Sequence, residues 1–132
     1  MSGLLGPACH GEKSERAPAQ ELLGRISAID VRAPLGERAA RLHELLGLQL
    51  VDPRLIRVRD QCALAHGGLL SAEREQAAVR ARIDRAGHEP VAAAELASLQ
   101  SALARAAESL RDAHTSLPDC EQSTRDLIAE TR

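Results

Sequence analysis

No phenylalanine, tyrosine or tryptophan occurs anywhere in the 132 residues. Aromatic side chains supply much of the burial in most globular cores, and a β-sandwich is hard to fill without them. Helices packed closely through leucine and alanine remain available. The same absence removes the platforms on which single-stranded nucleic acid stacks. No basic block compensates, since acids are interspersed among the arginines and the formal charge is −2. No nucleic-acid partner is therefore expected. No run is long and apolar enough to read as a membrane span, so no membrane insertion is expected either. The start, Met1 to Pro7, lacks the basic region and apolar stretch of a secretory signal, and Ser2 does not fit the usual myristoylation pattern. The expectation is a soluble, cytoplasmic protein. Cysteine is scarce, with Cys9, Cys62 and Cys120 widely spaced and odd in number. A disulfide framework is not expected, and Cys62 and Cys120 read as small buried hydrophobes.

What the chain does hold is alanine, leucine, glutamate, arginine and glutamine, all strong helix formers, from Glu37 onward. Apolar or small residues fall at Leu55, Val58, Cys62, Ala65, Leu69, Ala72, Val79, Ile83 and Ala86, with Gln76 the one polar member. The steps alternate between three and four, which is the a/d seam of a heptad. Gly87-His88-Glu89-Pro90 interrupts the pattern. It resumes at Leu96, Leu99, Leu103, Ala106, Leu110, Ala113, Leu117, Cys120, Thr124 and Leu127. The fold class is all-α: an elongated antiparallel helical hairpin, or three-helix bundle, with coiled-coil-like seams. Folding at Gly87 to Pro90 is expected to set Leu110 beside His66 and Leu103 beside Glu73.

Around this hairpin the remaining segments are read in order. Residues 1–17 are polar and aperiodic, a disordered leader, and 18–132 form a single helical domain. A first helix is expected from Pro18 to Val31, with Leu22, Leu23, Ile26 and Ile29 on one face and Ala33-Pro34 ending it. A second runs from Gly36 to about Leu50, with Ala39, Leu42, Leu45 and Leu46 inward and Glu37, Arg38, Arg41 and Glu44 outward. Asp52 is a good N-cap and Pro53 suits the first helical position, so the long helix starts there. Gly67-Gly68 predicts a kink or one-turn break, and Pro118 a bend or an end in the last helix.

Candidate sites are few. Cys62 and His66 stand four apart, a usable metal spacing, and His114 could approach them. No fourth ligand is evident, and Cys62 fits the apolar seam unaided, so no metal is expected. Ser71, Ser98 and Ser101 have no evident base, and Gly67-Gly68 lacks a phosphate-cradling context. Arg54, Arg57 and Arg59 read as a solvated face. The expectation is no enzyme, no cofactor and no small-molecule substrate. Instead the seams are expected to meet helical partners, by self-association or in a hetero-oligomer, through Leu55, Val58, Leu69, Val79, Ile83, Leu96, Leu99, Leu103, Leu110 and Leu117.

The order of signals from Glu37 onward resembles the family of dynactin subunit 3, the smallest shoulder-arm subunit of dynactin. The residues that carry the resemblance are Glu37-Arg38, Val51-Asp52-Pro53, Leu69 to Gln76, Leu99-Gln100, and Cys120-Glu121 with Thr124. The absence of aromatics, the leader and the earlier end depart from that family. The resemblance implies a non-enzymatic, cytoskeleton-associated scaffold subunit that packs with two longer coiled-coil partners in the dynein-activating complex. The alternative from the residues is a small bacterial helical chaperone or adaptor of a secretion or flagellar export system.

Overall fold

The computed structural model describes residues 16–132, and among them the secondary structure is helical with no strand. Four helices are present there: α1 (residues 16–27), α2 (Leu35–Leu46), α3 (Pro53–Ala86) and α4 (Ala93–Thr131). The all-α expectation holds. Residues 1–15 of the expected leader lie outside the described residues, whereas Arg16 and Ala17 already belong to α1.

Local chemistry explains the helix ends. Gly24 is accommodated within α1, and the chain leaves that helix at Ala28 rather than Val31. There the Asp30 carboxylate accepts the Arg32 amide at 2.8 Å and closes the turn. α2 stops at Gly47, earlier than expected, because Leu48 to Leu50 run non-helically toward the next start. That start is as read from the sequence. Asp52 caps α3 by accepting the Arg54 amide at 2.9 Å, and Pro53 occupies the first turn. At the far end Gly87 leaves α3 with φ at +60°, a conformation that side chains disfavour, and the chain reverses into α4.

Neither long helix breaks or ends at the two places where the sequence allowed it. α3 runs unbroken through Gly67-Gly68, and α4 continues past Pro118 to Thr131. Gly68 serves packing instead. A Cβ at Gly68 would stand 3.2 Å from the Ala113 Cβ and 3.3 Å from the Ser109 carbonyl oxygen, so α4 crosses α3 where α3 has no side chain. The lost helix propensity is offset by the close approach. Register also differs from expectation by about one helical turn: Gly68 faces Ala113, Glu75 pairs with Arg105, and Cys62 meets Cys120.

Buried positions recur at sevens, Ala65, Ala72 and Val79 on α3, and Ala106, Ala113, Cys120 and Leu127 on α4. The main core gathers at the end of the hairpin remote from its turn. There Ala19, Leu22, Ile26 and Ile29 of the α1 segment join Leu45 of α2, Leu55 and Cys62 of α3, and Cys120 and Leu127 of α4. The cover on the hairpin is thus α1 together with α2, and not α2 alone.

Candidate interaction surface

Within this core the sequence expectation for cysteine fails. Cys62 and Cys120 form a disulfide, with Cα atoms 4.8 Å apart. Their separation along the chain hid the pair. Antiparallel packing of α3 on α4 brings both seam positions to one level, which neither position announces alone. Both residues are almost fully buried. The bond consumes the thiol of the Cys-His-His set considered above, while His114 is exposed. Among the described residues no cluster of His, Cys, Asp and Glu suited to a metal is present.

A second correction concerns α2. Arg38, expected outward, is 4% exposed, while Leu46, expected inward, lies open. The inward stripe runs Arg38, Leu42, Leu45, which keeps leucine over the core and sets the arginine where α2 begins. The guanidinium forms an ion pair with Glu73 of α3, and this compensates its burial. His66 lies near the same arginine, and its Nδ1 is buried without a hydrogen-bond partner. Burial first, and then the Arg38 charge, hold the His66 imidazole below its usual pKa. Of the basic run, Arg54 and Arg57 are exposed as read, whereas the Arg59 side chain is 19% exposed and turned onto the chain leaving α2. Arg54 bonds Glu130 at 3.0 Å, and Arg59 bonds Asp60 and the Leu48 carbonyl oxygen, each at 3.0 Å.

The hairpin therefore divides into two halves with different surfaces. The residues read as partner-facing separate accordingly. Leu55 and Val79 are buried within the chain, and Val58 and Leu117 pack on the core. Leu69, Leu99 and Leu110 are half-buried. Ile83, Leu96 and Leu103, at 51%, 47% and 46% exposed, lie open. From Gln76 to Ala86, Val79 is the sole buried residue of α3, and from Ala93 to Arg105, Ala102 is the sole one of α4. Polar contacts hold this arm together where apolar burial is thin: Arg82 and Glu95 form a two-point ion pair, with Nη2 to Oε2 at 2.7 Å, next to the turn.

The opposite face of the crossing carries a cavity of about 600 Å³ beside Gly67 and Gly68, lined by Ser71, Ser109, Asp112 and Ser116 with Leu64 exposed at its rim. Its lining is small side chains and hydroxyls. Among the described residues no helix is long and apolar enough to cross a membrane. Comparison with family models, curated proteins and solved structures found no match to this chain.

Proposed function

We propose that this chain is a non-enzymatic structural and interaction subunit. Its long helices form a coiled-coil-type scaffold on which helical partners pack, in the manner that the dynactin-subunit resemblance implies. The observation that carries the reading is the bare arm. Two helices project beyond their cover with Ile83, Leu96 and Leu103 open to solvent, although apolar side chains at regular helical spacing are the ones a helix ordinarily buries. A cytoplasmic, cytoskeleton-associated location belongs to the same proposal. In a reducing cytoplasm the Cys62–Cys120 bond would persist only through its burial, which keeps reductant away from both sulfurs.

Coexpression tests the function directly. The chain is expected to copurify in fixed stoichiometry with long coiled-coil subunits of a dynactin-like shoulder. Failure to bind any helical partner, with the chain remaining a stable monomer at micromolar concentration, would overturn the reading. Copurification with an exported substrate would instead establish the adaptor alternative.

A further inference from the structure

The exposed leucines and isoleucine of the arm extend rows that are already in use. On α4, Leu96, Leu103, Leu110 and Leu117 step by sevens, and Leu117 packs on the core that α1 helps to form. On α3, Cys62, Leu69, Gln76 and Ile83 step likewise, and Cys62 lies in that same core. A step of seven returns a side chain to nearly the same helix face. One continuous face is thus covered by α1 at one end and uncovered at the other, beyond the turn that follows α1.

The rims of the uncovered part differ in charge. Where the α1–α2 turn meets α3, a cavity of about 340 Å³ is lined by Arg32, Arg38 and Arg80 with Glu73. Glu73 is taken by Arg38, and among the described residues Arg32 and Arg80 make no ion pair. On α4 the first residue, Ala93, and the residues that follow Leu99 and Ala106, namely Gln100 and Ala107, supply no acid on the other rim.

We infer that this face is the docking site for one amphipathic helix of another polypeptide, lying along Ile83, Leu96 and Leu103 with carboxylates directed at Arg32 and Arg80. Continuity with the α1-covered face sets the apolar half of that description, and the unpaired arginines set the acidic half. A second copy of the chain fits less well, because its equivalent face offers arginines on one rim and no acid on the other. The inference rests on the reading of the chain as a helical interaction subunit, and specifies its site.

The test uses the full chain with two synthetic amphipathic peptides. Both carry the same leucine and alanine heptads, one with glutamate at the rim positions and one with lysine, and binding is followed by fluorescence anisotropy. The glutamate peptide is expected to bind at least about tenfold more tightly. Arg80→Glu should erase that preference, and Leu103→Asp should remove binding while leaving the melting curve of the free chain nearly unchanged. Equal binding of the two peptides, or binding indifferent to Leu103→Asp, would overturn the inference. So would a concentration-dependent dimer that Leu103→Asp abolishes, since the occupant would then be a second copy. If coexpressed partners bind normally to the Leu103→Asp chain, the site is wrong and the proposed function stands. If no helical partner binds the unaltered chain, the function itself fails.

Discussion

Breaking the bond between Cys62 and Cys120 should show how much of the core depends on it. The residues are 58 apart in sequence, so the bond closes most of α3, the turn and more than half of α4 into one loop. Closing a loop of that size removes unfolded-state freedom corresponding to about 4 kcal/mol in the chain-entropy treatment. Total stabilities of domains are roughly 5–15 kcal/mol, so the bond would supply a large fraction. A chain of this length shifts its melting temperature by about 3–4 °C per kcal/mol, so fully reduced protein should melt about 12–16 °C below the oxidised form. Circular dichroism melts of the two forms measure this directly, the reduced form being prepared by unfolding in urea with reductant and refolding. Because both cysteines are buried, reductant added to native protein should act only through opening of the structure, at a rate that rises with urea. Melting temperatures within about 2 °C of one another would refute the entropic argument. Rapid reduction of the native protein would refute the burial argument.

The paired glycines should respond in opposite directions. Gly67→Ala meets only a Leu42 methyl at 3.7 Å and should stabilise by about 0.5–1 kcal/mol through helix propensity, whereas Gly68→Val should destabilise by at least about 1 kcal/mol because the backbone of α4 is in the way. Urea unfolding of both variants checks the pair. Leu45→Ala, at a fully buried site, should cost about 2–5 kcal/mol, while Leu103→Ala on the bare arm should cost about 1 kcal/mol or less in the isolated chain; comparable losses would place the core wrongly. His66 predicts the pH dependence. With its pKa lowered on folding, the unfolded chain binds its proton first, so the stabilising contribution is complete above the unfolded value and is lost as pH falls below it. Melts between pH 7.5 and 5 (about the range of an ordinary imidazole) should show that decline, and His66→Gln should flatten it.

Composition and spacing alone settled the class and the long elements. Absent aromatics and abundant leucine and alanine leave few ways to bury a core, and steps of three and four place those residues along helix faces whatever the helices meet. The Asp52-Pro53 start was legible for the same reason: a cap and the residues beside it act within one turn. Contacts between distant segments were not legible. Gly67-Gly68 reads as a weakness because propensity counts only the helix that carries it, while the use of Gly68 depends on Ser109 and Ala113 of another helix. Arg38 reads as surface until Glu73 of α3 is found opposite it. Cys62 and Cys120 each read as one more small seam residue, and only the antiparallel register of α3 on α4 brings them to one level. The seam likewise showed which residues are apolar but not which stay open. That division follows from where α1 and α2 end, because a helix can bury only as much of its neighbour as it is long enough to cover.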